Sequence, residues 1–225
     1  MIYAYEDTNP QYAGLLKVGY TAVDVDKRVA QQYPTKRPDG SVPYRIVLRE
    51  SAMYPDGTHF RDTDVHRMLK KKEVRGMGGE WFRCTADDVK AAIVAVRNRT
   101  ENVENRTQTF GMRPEQEDAV KRTMGYYEST AQEGGRIPKF LWNAKMRFGK
   151  TFAAYKLAER MNAKRVLILT FKPAVGSAWR EDLMTHIDFE GWQFVSRPEM
   201  VGGDSIDAQY QHADKKKPIV CFGSF

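Results

Sequence analysis

Cysteine is scarce in this sequence: Cys84 and Cys221 are the only two among 225 residues, and they lie far apart. A disulfide framework needs several cysteines and a structural zinc site about four clustered ligands, so neither is expected, and a reducing cytosol is the simple compartment. Long apolar runs are lacking too. No stretch approaches the roughly 18 consecutive apolar residues of a membrane span. Met1 leads into Tyr3, Tyr5, Glu6 and Asp7 rather than into a basic region followed by an apolar one. Membrane insertion and secretion are therefore not expected, and no membrane partner is called for. Internal repeats and long low-complexity runs are also missing, which sets repeat architectures aside.

What is present suffices for a core. Hydrophobic residues make up 41% and charged residues 29%, a globular rather than a disordered balance. At a prior of about 150 residues per domain, the length means one large domain or two small ones. Lys and Arg number 36 against 29 Asp and Glu, a formal charge of +7. That excess suits a polyanionic partner, although the same charge also serves solubility.

The first hundred residues read as a compact α+β unit. Ile2 to Tyr5 alternates as a strand, Leu15 to Gly19 is a second, and Tyr44 to Leu48 a third. Asp24 is a candidate N-cap for a helix over Val25 to Tyr33, which Pro34 stops. Val65, Met68 and Leu69 repeat at helical spacing within Thr63 to Lys72. Glu80, Trp81 and Phe82 make a short strand, and Thr85 with Asp88 forms a capping box for a helix that turns Val89, Ala92, Ile93 and Val96 inward. From Arg97 to Thr109 the pattern stops in polar residues, so 98–111 is read as a linker between a domain at 1–97 and one at 112–225.

The second domain opens with Pro114 at a first helical position and Glu115 and Glu117 in the first turn of a helix running to about Ser129. Strand and helix then alternate: a strand at Lys139 to Asn143, a helix at Lys150 to Arg160, a strand at Arg165 to Thr170 and a helix at Ser177 to Thr185. Strands at Trp192 to Val195 and Ile219 to Phe222 complete the series. Alternation of this kind argues a parallel sheet with helical crossovers.

Between the first strand and helix of that series lies Ala144-Lys-Met-Arg-Phe-Gly149-Lys150-Thr151. In such a place the loop's N–H groups and the helix's positive end suit phosphate, Lys150 reaches the outer phosphates, and the Thr151 hydroxyl suits Mg2+. Ala144 stands where G-x-x-x-x-G-K-[ST] has its first glycine, and it fits only with a negative φ.

Met112-Arg-Pro-Glu-Gln116, Trp142 to Thr151, and Leu169-Thr-Phe-Lys-Pro173 with Trp179-Arg-Glu181 resemble, in order, the Q-like segment, motif I and motif Ia of superfamily 2 helicases and restriction-type translocases. The resemblance implies an incomplete α/β RecA-like domain that binds ATP with Mg2+. It implies that Gln116 meets the adenine, that Ala144, Gly149, Lys150 and Thr151 cradle phosphate and metal, and that the turn at Lys172 and Pro173 meets a nucleic-acid backbone. The acidic motif II and the second RecA-like lobe have no counterpart here. ATP hydrolysis by this chain alone is not expected, and the sequence reads as the N-terminal portion of a larger protein whose remainder completes the core.

Tyr3, Lys17-Val-Gly19, Arg28, His66 and Glu80 together resemble the GIY-YIG nuclease fold, especially its phage-type branch, over about residues 1 to 97. The resemblance implies that Glu80 holds a metal ion, that Tyr3 takes part in activating water and that Arg28 stabilises the scissile phosphate. His66 has the chemistry of a general base or a phosphate ligand. Lys17 departs from the pattern, standing where the second motif has tyrosine. Either the mechanism relies on Tyr3 and His66, or the module binds DNA without cutting it. Arg67, Lys70, Lys71, Lys72 and Arg75 form a basic run that is either a DNA-tracking surface or a solvated face. Trp81 and Phe82 are either base-stacking or core aromatics. The leading expectation is a hydrolase: an endonuclease module joined to the start of an ATP-driven translocase, as in restriction or phage defence. The alternatives are a non-cleaving DNA-binding module with a regulatory P-loop half, and a P-loop small-molecule kinase.

Overall fold

Alternation along the first strand decides how the N-terminal unit is layered. In the computed structural model, which describes residues 1–35, 37–133 and 137–225, β1 (Ile2–Asp7) turns Ile2 and Ala4 to one side and Tyr3 and Tyr5 to the other. It is followed by β2 (Leu15–Tyr20), α1 (Val25–Gln32), β3 (Tyr44–Glu50), α2 (Asp62–Lys71), β4 (Gly76–Gly78), β5 (Trp81–Arg83) and α3 (Ala86–Asn98). The strands form an antiparallel sheet in the order β3-β1-β2-β5-β4. On one side Ile2, Ala4, Leu16, Val18 and Phe82 pack with Val65 and Leu69 of α2 and Val89, Ala92 and Ile93 of α3. On the other, Tyr3 and Tyr5 pack with Val25 and Val29 of α1.

The caps read from sequence are in place. The Asp24 carboxylate accepts from the Lys27 N–H at 3.0 Å, and Thr85 and Asp88 close a reciprocal capping box. Strand β4 is a difference: Gly76-Met-Gly78 has no alternating side chains by which it could be recognised.

The chain divides into two units, Met1–Thr107 and Gln108–Phe225, so the boundary falls inside the segment 98–111 expected as a linker. The first part of that segment is packed, by polar rather than apolar contacts. Asn102 is buried, and its amide donates to the carbonyls of Ala91 and Arg106 and accepts from the Arg106 N–H. Lys71 pairs with Glu101 at 2.6 Å, and Lys72 donates to Asn105 at 2.7 Å. The Arg99 guanidinium lies 4.8 Å from the Tyr54 ring. Hydrophobic periodicity is blind to such a strap.

The other end of the segment belongs to the second unit. The Gln108 N–H donates to Thr185 O and its carbonyl accepts from Ile187 N–H, while His186 Nε2 donates to Phe110 O at 2.8 Å. His186 is buried among Phe110, Phe152 and Phe189. Burial pushes its imidazole below the ordinary value of 6.5, so below that value the unfolded chain takes up a proton that the folded chain resists. The stability of this unit should be full above pH 6.5 and should fall as pH drops through and below it. Urea unfolding at pH 8 and pH 5.5 checks this, and His186→Gln should flatten the dependence; equal slopes in both proteins would contradict it.

The second unit comprises α4 (Pro114–Glu133), α5 (Lys150–Arg160), β6 (Arg165–Thr170), α6 (Gly176–Thr185), β7 (Gln193–Val195), α7 (Pro198–Val201), α8 (Ile206–His212) and β8 (Ile219–Ser224). Its three strands are parallel, in the order β6-β8-β7. Phe152 and Tyr155 of α5, Leu183 of α6, Phe189 and Trp192 build the core against Val220 and Phe222 of β8. Leu167, Leu169 and Phe171, alternating along and just past β6, are 67%, 62% and 68% exposed.

The strand expected at Lys139 to Asn143 is absent. No ladder includes these residues, and their aromatic side chains turn to α4 instead. The Trp142 indole donates to Thr123 Oγ1 at 2.7 Å, and Phe140 packs on Tyr126. Helices α7 and α8 were not legible because neither has a buried residue, hence no apolar stripe to read.

Candidate functional site

The β1–β2 register sets Tyr3 opposite Gly19 and Tyr5 opposite Lys17, on the side of the sheet that α1 covers. A Cβ at position 19 would lie 2.6 Å from Tyr3 Oη and 2.7 Å from Cζ, so only glycine leaves room for the phenol. Gln32, in the last turn of α1, reaches between these strands. Its Oε1 accepts from Tyr5 Oη at 2.7 Å and from Lys17 Nζ at 2.6 Å, and its Nε2 donates to Tyr3 Oη at 2.9 Å. Lys17 Nζ also stands 3.5 Å from Glu80 Oε2, and the Glu80 side chain is 43% exposed.

An aromatic wall backs this network. Tyr33, Tyr44 and Trp81 surround Tyr5 edge-on, and Tyr12 stacks on Trp81. Burial raises the Tyr5 phenol well above its ordinary value and pushes Tyr33 up to about 12; Tyr33 donates to Asp7. Both phenols are therefore neutral donors at physiological pH.

Of the five residues singled out in this unit, the fold joins Tyr3 and Lys17 through Gln32, and Glu80 through Lys17. Arg28 lies four residues before Gln32, one turn along the same helix face. It is exposed and makes no ion pair among the described residues. His66 approaches from α2, on the opposite side of the sheet beside Phe82, and its Nε2 donates to Val18 O at 2.7 Å. That bond leaves only Nδ1 to act as a base. The Val18 N–H donates to Glu80 O, so His66 and Glu80 meet on one residue of β2.

Two other readings resolve here. In the basic run, Lys71 and Lys72 hold the 101–105 strap and Arg67 pairs with Asp64, which leaves Lys70 and Arg75 as the more open cations. Phe82 is a core residue, 1% exposed, so it is not a stacking platform for bases. Gln32 and Tyr5 were missed by sequence reasoning. The one signal for Gln32 was its position four residues after Arg28.

In the second unit the phosphate loop is preceded by irregular chain rather than a strand. Arg147 (φ 64°) and Gly149 (φ 76°) take left-handed conformations, and Ala144 is not among the residues with positive φ, so alanine is accommodated there. Gln116 is buried, and its amide faces the loop. Nε2 donates to Phe148 O at 2.8 Å, and Oε1 accepts from the Arg113 N–H at 2.8 Å. Gln116 thus braces the loop backbone in this structure instead of presenting its amide to a base.

The Arg113 guanidinium donates to the carbonyls of Arg147 and Phe148. Lys150 Nζ donates to the Ala144 and Lys145 carbonyls at 3.1 and 3.0 Å, which folds it back over the loop. Thr151 lies in the first turn of α5, whose N-cap Gly149 supplies no side-chain cap. The donors at the start of that helix suit an anion. An open cleft of about 680 Å³ adjoins the loop, lined in part by Arg113, Asp118, Arg122, Phe140, Trp142 and Phe148. Lys172, just past β6, is exposed, with its ammonium 5.5 Å from the Phe171 ring.

Residues 1–97 match the family model of the T5orf172 domain. A putative type II restriction enzyme and methyltransferase C-terminus of Mycoplasma pneumoniae is 41% identical over 110 residues, which are 49% of this chain and 14% of that protein. The chain therefore spans only a small part of the relative's length. No solved structure matches it.

The T5orf172 match covers the whole Tyr3–Gln32–Lys17–Glu80 network. Among the described residues no group of three or more His, Cys, Asp or Glu side chains could hold a metal by itself. Glu80 nonetheless fits Mg2+, which commonly binds one or two carboxylates and completes its shell with water and substrate phosphate. No helix among the described residues is long and apolar enough to cross a membrane.

Proposed function

We propose that residues 1–97 form a GIY-YIG-like, metal-dependent DNA endonuclease unit, joined to the ATP-binding start of a superfamily 2 RecA-like helicase or restriction-type translocase. The observation that carries this reading is the convergence of Tyr3 of β1 and Lys17 of β2 on Gln32, with Glu80, from the turn before β5, 3.5 Å from the Lys17 ammonium. The T5orf172 match and the restriction-enzyme name of the Mycoplasma pneumoniae relative support the DNA-processing class.

Glu80 would hold Mg2+, which supplies Lewis-acid polarisation of the phosphate when bound. In phosphodiester hydrolysis a water oxygen bonds to phosphorus, the ester P–O bond breaks, and the leaving oxygen takes up a proton. Lys17 supplies positive charge beside the phosphate, and Arg28 offers a planar guanidinium to the charge that builds on it. Tyr3 presents a phenol to the reacting oxygens. In the second unit Lys150 and the uncapped start of α5 would take the nucleotide's phosphates, with Thr151 toward its Mg2+.

Two observations favour a second reading, a unit that binds DNA without cutting it: Tyr3 is 1% exposed, and a lysine occupies the second tyrosine's place. Nicking of supercoiled plasmid without ATP, in Mg2+ and in EDTA, separates the two. Metal-dependent nicking is expected. Salt-sensitive DNA binding with no nicking would favour the second reading.

A further inference from the structure

We propose that Gln32 is a positioning residue that Lys17 locks in one orientation and that in turn fixes the Tyr3 phenol as a hydrogen-bond donor toward the substrate. This rests on the nuclease reading above. An ammonium cannot accept a hydrogen bond. Lys17 Nζ has donors and no acceptor, so the group 2.6 Å from it must be the Gln32 carbonyl oxygen and not its amide nitrogen. Turning the amide over would set donor against donor. Tyr5 Oη, a neutral phenol, donates to the same oxygen at 2.7 Å and holds the same orientation.

With Oε1 fixed, the Gln32 NH2 group must face Tyr3, and it donates to Oη at 2.9 Å. Tyr3 Oη is then an acceptor on that side, and its own hydrogen points away from Gln32. A Cβ at residue 19 would stand 2.6 Å from Oη, so glycine there keeps that side of the hydroxyl clear of a side chain. A lysine in the second tyrosine's place thus has a definite use: through Gln32 it sets the proton direction of the remaining tyrosine.

Neutrality of the amide is the second half of the inference. Gln32 accepts from Lys17 without cancelling its charge, which leaves the ammonium free to face Glu80 at 3.5 Å and the substrate phosphate. A carboxylate of the same length would accept hydrogen bonds from both Tyr3 and Tyr5, turning the Tyr3 hydrogen toward itself, and would draw the Lys17 charge onto itself. Such a change adds an ion pair and does not loosen the fold, so it separates positioning from structural support.

The test is steady-state nicking of plasmid by the full chain with Mg2+, comparing wild type, Gln32→Glu and the near-isosteric Gln32→Met, alongside thermal denaturation. Gln32→Glu should lower kcat about a hundredfold, as misdirected catalytic groups do, with KM within about threefold and no loss of thermal stability. Gln32→Met should lower kcat less, because it removes the lock without turning the Tyr3 hydrogen away from the substrate. Wild-type kcat in Gln32→Glu would overturn the inference alone, as would losses that track loss of stability in both variants. A wild-type chain that never nicks would overturn the nuclease reading and this inference with it.

Discussion

Gly19→Ala is expected to be among the most damaging single changes in the N-terminal unit, lowering its stability by about 3 kcal/mol, the upper part of the usual range for overpacking. The added methyl would lie 2.6 Å from Tyr3 Oη, 2.7 Å from Cζ and 3.2 Å from Cε2. A flexible chain end would swing clear, but this is a rigid ring on an interior strand of the sheet, 1% exposed and packed with Tyr5, Val25 and Val29. Relief requires a shift of the ring, which breaks its bond to Gln32. Tyr3→Phe in the same background should restore only part of the loss, since the ring carbon stays too close. Urea unfolding followed by tyrosine and tryptophan fluorescence checks this, and unchanged stability in Gly19→Ala would contradict the register on which the site depends.

Lys150→Ala is expected to weaken ATP binding about fiftyfold, the equivalent of one or two charge-assisted hydrogen bonds to phosphate. Its ammonium rests on the Ala144 and Lys145 carbonyls, at the mouth of the loop that Gln116 and Arg113 brace from behind. Truncation removes the loop's own phosphate-seeking charge while leaving that brace intact, so the unit should remain folded. Plasmid nicking should be unchanged, because the two sites belong to separate units. Titration with a fluorescent ATP analogue gives the first number and a nicking assay the second. Unaltered affinity would contradict the phosphate-loop assignment.

How much of this was legible in the sequence depended on which physical signal each element carries. Strand β1 shows through Ile2 and Ala4 alternating with Tyr3 and Tyr5, and α1 and α3 through the caps at Asp24 and Thr85. Residues 139–143 have strand composition but no strand, because Phe140 and Trp142 find partners on α4, a tertiary outcome that local propensity does not encode. The strap after α3 hid because Asn102 holds it by amide hydrogen bonds, and polar packing has no period. At the site, Tyr3, Lys17 and Glu80 were nameable as single residues in a familiar spacing. Gln32 was not, since a glutamine at a helix end is ordinary until three donors and acceptors converge on it.

Nicking of supercoiled plasmid by wild type and by Glu80→Ala, without ATP, in Mg2+ and then in EDTA, tests the central claim most directly. Glu80 is the half-exposed carboxylate that the Lys17 and Gln32 network faces, so its removal should leave the fold and salt-sensitive DNA binding in place. Nicking by wild type in Mg2+ only is expected, with a loss of at least about a hundredfold in the variant. Equal nicking by both proteins, or nicking that survives EDTA, would contradict it.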